Sequence, residues 1–281
     1  HVHYALNIQM PLTTLPQERN CSPRTIGEYH KIFGWYFRDT GCCELDDTTK
    51  QTLREWVAGM WEKGLAPGTI ATRTGVLRNT FRCVGRSDLA DYLPRVKLGV
   101  HLPQALTKDE TIAFFEHVKA QSMSRSHRDY VLFMLMYSCG LRVGEVTSLE
   151  IEDVNLKTGT ALIHGKGNKE RQVYLKPHVL AVVKDWIGDR TDGWLFQGQN
   201  GAHLSARVVQ IYAKQYGKEL GMDVHPHSFR HSCATHYLLG GAPITFVQAL
   251  LGHTKLSTTG LYTQLSDVER KRIVNSMELA I

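Results

Sequence analysis

The chain has 281 residues, 42% hydrophobic and 21% charged, with 33 Lys and Arg against 27 Asp and Glu and a net charge of +6. That length allows two ordinary domains with a core each, and the composition excludes a disordered polymer. No apolar run approaches the ~18 residues of a membrane span, no secretory signal is expected, and the basic excess fits a polyanionic partner without specifying one.

In chain order, Ile26, Tyr29, Ile32, Phe33, Tyr36 and Phe37 recur at helical spacing. They predict a helix from Ser22 to about Arg38, with Ser22 as N-cap and Pro23 at the first helical position. Arg24, Lys31 and Arg38 repeat on another face, which is either solvated or a phosphate-contacting stripe. A second helix is predicted over Thr48 to Glu62, with Leu53, Trp56, Val57, Met60 and Trp61 inward. A third follows Pro67-Gly68, with Ile70, Leu77, Phe81 and Val84 inward, and Arg73, Arg78, Arg82 and Arg86 lie along it. Arg73 and Arg78 are candidate DNA contacts. Residues 1–92 therefore read as a small helical bundle with basic faces. Pro94, Gly99 and Pro103 are breakers, so residues 93–104 read as a linker.

Residues 105–281 form the second predicted domain. Thr107 and Glu110 make a capping box. Tyr130 to Cys139 is apolar nearly all round, which predicts a buried helix ended by Gly140. Arg142 falls just beyond that glycine, where a charge beside buried structure points to function. Thr160 to His164 and Gln172 to Leu175 read as a hairpin whose loop carries Lys166, Lys169 and Arg171. Lys169 and Arg171 join the candidate DNA contacts. Helical periods return at about 205–220, 228–239, 243–251 and 266–277. Gly252 ends the third of these and puts His253 immediately past a helix, and Ser266 with Glu269 caps the last.

Six residues of this half carry chemistry: Arg142 in LRVGE, Lys166 in GKGNKER, His227 and Arg230 in HSFRH, His253 in LLGH, and Tyr262. Two arginines, a lysine and two histidines can grip and protonate a phosphodiester without a metal, and a tyrosine can hold a phosphoryl group covalently. His227 and Arg230 are three apart, so in a helical first turn they point the same way, toward an end that attracts phosphate. Singly, each has a plainer reading: a capping histidine, a turn lysine, a surface tyrosine. His225, His227, His231 and His236 also suggest a metal centre. Against it stand Pro226, the lack of a Cys or carboxylate to complete the set, and Arg230, which would repel a dication. No metal and no cofactor are expected. The six cysteines form no CxxC pair, so reduced thiols are expected.

Residues 105–275 closely resemble the catalytic domain of the tyrosine site-specific recombinases, in the Xer-like and mobile-element integrase branch. LRVGE, the hairpin lysine in GKGNKER, HSFRH, LLGH and the tyrosine nine residues after that histidine match in order and spacing. The first half resembles the family's helical core-binding domain. The resemblance implies a mainly α fold with a small β-hairpin or sheet (α+β), arranged as a two-domain C-shaped clamp. It implies that Tyr262 attacks the scissile phosphate, leaving a 3′-phosphotyrosyl link and a free 5′-hydroxyl. Arg142 and Arg230 would hold the non-bridging oxygens, His227 would act as general acid/base, and His253 would donate a hydrogen bond to the phosphate. Lys166 would protonate the departing 5′-oxygen, and Glu145 would orient the site. The implied partners are double-stranded DNA with an inverted-repeat core site, three further copies in a homotetramer on two sites, and an accessory DNA-bending or regulatory protein. A cytoplasmic, nucleoid-associated location and independence of ATP are also implied. The last helix, Ser266 to Met277, would dock in a neighbouring subunit or in cis. A self-resealing DNA-relaxing enzyme and a non-catalytic DNA-binding regulator are the competing readings.

Overall fold

The computed structural model describes residues 23–98, 105–122, 125–165, 169–252 and 267–276. Ser22, Lys166, His253, Tyr262 and Ser266 lie outside them. The chain divides into two compact units, His1–His101 and Leu102–Ile281.

Unit 1 contains α1 (Pro23–Thr40), α2 (Lys50–Glu62), α3 (Pro67–Cys83) and α4 (Ser87–Tyr92). Its core joins Ile32, Phe33, Tyr36 and Phe37 of α1 to Leu53, Trp56 and Met60 of α2 and to Ile70, Leu77 and Phe81 of α3. The Tyr36 ring meets Trp56 edge-on at 5.1 Å, and its hydroxyl donates to Thr48 Oγ1 at 2.9 Å.

Several expectations are corrected here. Helix α2 begins after Thr49, not at Thr48. The Thr49 hydroxyl accepts from the Thr52 N–H at 3.1 Å, and Thr52 Oγ1 accepts from the Thr49 N–H at 2.9 Å, which satisfies two donors at the helix start. Trp61 and Val84, expected inward, are 48% and 39% exposed. Trp61 sits one residue past Met60, off the buried stripe, and Val84 is already the C-cap of α3. Arg86 lies beyond Gly85 as N-cap of α4 and pairs with Asp88 at 3.3 Å. Lys31 and Arg38 pair with Glu28 and Asp39 at 3.0 and 3.1 Å. Exposed pairs of this kind contribute about 0–1 kcal/mol.

Unit 2 is built on α6 (Ser126–Ser138), buried without a break from Val131 to Ser138. Around it pack α5 (Lys108–Ala120), α8 (Pro177–Ile187) and α10 (Pro226–Leu239). The expected capping box opens α5: Glu110 N–H donates to Thr107 Oγ1 at 3.1 Å, and Thr107 N–H donates to Glu110 Oε2 at 2.8 Å. Phe133 stacks on Phe229 at 5.0 Å, and Phe114 meets Phe229 edge-on at 5.0 Å. Each such ring contributes roughly 1.5–3 kcal/mol by burial.

The short α7 (Val143–Thr147) follows α6, and then comes a three-stranded antiparallel sheet. Its strands are β1 (Val154–Asn155), β2 (Thr160–Gly165) and β3 (Lys169–Tyr174), with Gly165 opposite Lys169 and Ala161 opposite Val173. Lys169 and Arg171 are therefore strand residues, not loop residues. Helices α7 and α8 and strand β1 are not among the expected elements: α7 and β1 are too short to show a period, whereas Val179, Val183 and Ile187 do recur at helical spacing along α8. Among the described residues the remaining α-helices are α9 (Ala206–Glu219), α11 (Ile244–Leu250) and α12 (Asp267–Ser276). Helix α12 packs in cis on β3: Val274 is buried, and Lys271 Nζ donates to the Thr158 carbonyl at 3.2 Å. The mainly helical α+β fold is as expected. Among the described residues no helix is long and apolar enough to cross a membrane.

Candidate active site

The site forms where α6, α7, β3, α10 and the end of α11 converge. Helix α6 stops at Cys139, and Gly140 turns the chain with φ of +62°. A Cβ at Gly140 would stand 2.7 Å from Leu251 Cδ2, so a residue without a side chain is needed both for the turn and for the approach of α11.

Arg142, two residues on, is the N-cap of α7 in extended conformation. Its Nη1 donates to Glu145 Oε1 at 2.7 Å and its backbone N–H donates to Glu145 Oε2 at 2.8 Å. The Arg142 side chain remains 42% exposed while that of Glu145 is 6% exposed.

Arg230 is in the second turn of α10 and is 8% exposed. Its Nη1 donates to the Gly140 carbonyl and its Nη2 to the Leu251 carbonyl. Burial, followed by the charge of Arg142, brings its guanidinium down to about 10. It remains a cation at neutral pH, and its bond to the Gly140 carbonyl ties it to the turn that Arg142 follows by two residues. His227 is exposed in the first turn of the same helix, three residues from Arg230. His236, by contrast, is buried, with Nδ1 2.7 Å from the Tyr137 hydroxyl.

Arg171, a candidate DNA contact, has its guanidinium engaged inside the unit. It donates to both oxygens of Glu145 at 2.9 and 2.8 Å and to the Leu250 carbonyl at 3.0 Å. Burial alone would raise the Glu145 carboxyl, but Arg171, with Arg142, outweighs it and holds the group down to about 2. Glu145 is thus an anion at neutral pH, held between two arginines. Strand alternation held the signal for Arg171: it shares a face with the buried Val173, and an inward arginine needs an acceptor. Of the other DNA candidates, Arg73 lies 4.1 Å over the Trp35 ring. Arg78 donates to the Leu93 and Pro94 carbonyls at 3.1 and 2.8 Å. Lys169 is placed by its backbone at the last rung of the hairpin. Lys166 follows Gly165 in sequence and His253 follows Gly252; both lie outside the described residues, as does Tyr262.

This arrangement, a cationic locus beside a hairpin in a helical unit, suits an anionic ligand. Residues 104–269 match the model of the phage integrase family. Tyrosine recombinase XerC of Alcanivorax borkumensis is 34% identical over 268 residues, covering 90% of this chain and 87% of the relative. Tyrosine recombinase XerD of Staphylococcus epidermidis is 31% identical over 284 residues, covering 95% and 96%. Among solved structures, the Tn1549 transposon integrase in complex with a circular intermediate DNA superposes with a TM-score of 0.71, at 18% identity, over 95% of this chain and 97% of that one. The chain belongs to the phage integrase family, the tyrosine site-specific recombinases. It is an Xer-like, DNA-binding enzyme of DNA recombination.

Proposed function

We propose that this recombinase cleaves and rejoins DNA through a 3′-phosphotyrosyl intermediate on Tyr262. The phenol oxygen attacks the scissile phosphorus in line as the bond to the 5′-oxygen breaks, and the departing oxygen takes a proton from Lys166. Arg142 and Arg230 hold the non-bridging oxygens and neutralise charge that grows in the transition state. His227 assists proton transfer from Tyr262, whose phenol ordinarily titrates near ~10, and His253 donates to the phosphate. The tyrosyl link conserves the phosphodiester energy, so a second strand's 5′-hydroxyl can displace Tyr262 without ATP. The cations on the protein supply the charge that a metal would otherwise bring.

The observation that carries this reading is that Arg230 and Arg142 share the turn at Gly140. A buried guanidinium is fixed on the Gly140 and Leu251 carbonyls, and a partly exposed arginine follows two residues past that same Gly140. By likeness to the Xer recombinases, the enzyme acts in the cytoplasm as a homotetramer on two inverted-repeat core sites, with unit 1 gripping the duplex. Integration, excision and resolution are all served by such exchange, with an accessory DNA-bending protein where the programme requires one. In the tetramer α12 leaves its cis position for a neighbouring subunit.

The test is covalent trapping on nicked DNA from the gene's own neighbourhood, with EDTA present, comparing wild type with Tyr262→Phe on a denaturing gel. A protein–DNA adduct in wild type alone is expected. Tight binding by wild type without any adduct would favour a non-catalytic DNA-binding regulator.

A further inference from the structure

Arg171 stands outside the six residues assigned to the reaction, yet its side chain is only 14% exposed. It forms a two-pronged pair with Glu145, while Nε holds the Leu250 carbonyl. Each Glu145 oxygen therefore serves both arginines: Oε1 accepts from Arg142 Nη1 and Arg171 Nη1, and Oε2 accepts from the Arg142 backbone and Arg171 Nη2. A carboxylate has about four lone-pair sites, and these bonds fill them.

We infer that Arg171 is a positioning residue that keeps Arg142 available to the scissile phosphate by occupying the acceptor capacity of Glu145. The inference rests on Arg142 being a phosphate ligand. Glu145 is a buried anion and must be neutralised. With Arg171 present, Arg142 donates to it through one guanidinium nitrogen among the described residues. Without Arg171, both oxygens fall to Arg142, and the fork geometry that suits a carboxylate suits it as well as a phosphate. Arg142 would then be drawn into a closed pair with Glu145, with fewer N–H groups left for non-bridging oxygens. The Leu250 carbonyl would lose a donor at the same time. Arg171 also bounds the turn at the end of α11: a Cβ on Gly252 would stand 3.4 Å from its Cδ. One side chain on β3 thus sets both the arginine at α7 and the end of α11.

A strut without this role would fail differently, and the charge of the scissile phosphate separates the two cases. A methylphosphonate, in which a methyl group replaces one non-bridging oxygen, is neutral and depends less on an arginine clamp. The experiment measures the rate of covalent-complex formation by the full chain on nicked DNA with either linkage. Wild type, Arg171→Gln and Arg171→Lys are compared, each with its thermal melt. On the ordinary linkage Arg171→Gln is expected to fall about a hundredfold below wild type, the scale of an active-site group displaced by about 1 Å. On the neutral linkage the ratio of variant to wild type should recover most of that loss. An equal loss on both linkages would overturn the inference, since misfolding or weakened DNA binding does not depend on the charge of one phosphate. A wild-type rate on the ordinary linkage would overturn it too. Arg171→Lys keeps a charge without the two-pronged geometry, so it carries the same comparison if the glutamine variant does not fold. Failure of the underlying reading looks different: wild type itself would then give no adduct that Tyr262→Phe abolishes.

Discussion

Arg230 and Leu251 meet across 21 positions of chain, the guanidinium Nη2 donating to the carbonyl at the end of α11. Because Nη1 of the same side chain donates to Gly140, one buried cation ties α10 to the ends of α6 and α11. Fold and chemistry share that group, since the cation that would bind the phosphate also holds the helix end that precedes His253 in the sequence.

Arg230→Ala should therefore lose twice. Two buried carbonyls lose their donor, at a cost of about 2–4 kcal/mol in denaturant melts. Covalent-complex formation should fall about 10²–10³-fold, as expected when a transition-state donor is removed. Arg230→Lys should recover part of the stability and little of the rate, because an ammonium cannot reach two carbonyls and a phosphate in one plane.

Glu145 sets a pH dependence. Its carboxyl is held down to about 2 against an ordinary 4.5. A depressed carboxyl stabilises the fold fully above its unfolded value and loses that contribution as pH falls through the folded one. The stability difference between wild type and Glu145→Gln should hold steady from pH 7 to about 5, then shrink by about 3 kcal/mol on acidification toward pH 2. Urea melts across that range check it. A difference that does not change with pH would contradict the shared ion pair.

Gly140 and Gly241 both have positive φ, +62° and +88°. A Cβ added at Gly241 would meet nothing within 4 Å, whereas one at Gly140 would meet Leu251 Cδ2 at 2.7 Å and Cys233 Sγ at 3.4 Å. Gly241→Ala should cost about 1–2 kcal/mol, the left-handed strain alone. Gly140→Ala should cost more, by roughly 1–3 kcal/mol for the added crowding, and should slow cleavage because the Gly140 carbonyl holds Arg230. Thermal or denaturant melts of the two variants, with the rate of adduct formation, check both statements.

His164, on the outer face of β2, has Nε2 3.1 Å from Asp153 Oδ1 and Nδ1 3.1 Å from Glu170 Oε1. Only the imidazolium can donate at both nitrogens, and the hydrogen bond to Asp153 leads the forces raising its pKa above 6.5. NMR titration should find His164 protonated to a higher pH than an ordinary histidine. Asp153→Asn should bring the midpoint down. The contacts favour folding below the unfolded pKa and fade as pH rises through the folded one.

Much of this molecule is readable from local pattern. The burial of α6 follows from an apolar run with no polar face, and the start of α5 from Thr107 and Glu110. The turn at Gly140 follows from a glycine at the end of that run. Where the pattern misleads, neighbours distant in sequence decide. Trp61 looks like a core residue by type but lies off the buried stripe of its helix, and α7 is too short to show a period. Arg171 reads as a loop cation because Lys169, Glu170, Arg171 and Gln172 run in succession, and its inward face shows only once the strand is known to reach back from Val173 to Lys169.

By itself the sequence determined the family, because the motifs around Arg142, His227 and Arg230 are contiguous, and it supplies the residues proposed for the chemistry through their type. Only the tertiary structure decided which cations face inward. Glu145 and Arg171 are 26 residues apart and Arg230 and Gly140 are 90 apart. Whether a buried charge meets its acceptor depends on how β3, α10 and α11 pack, which no local spacing encodes.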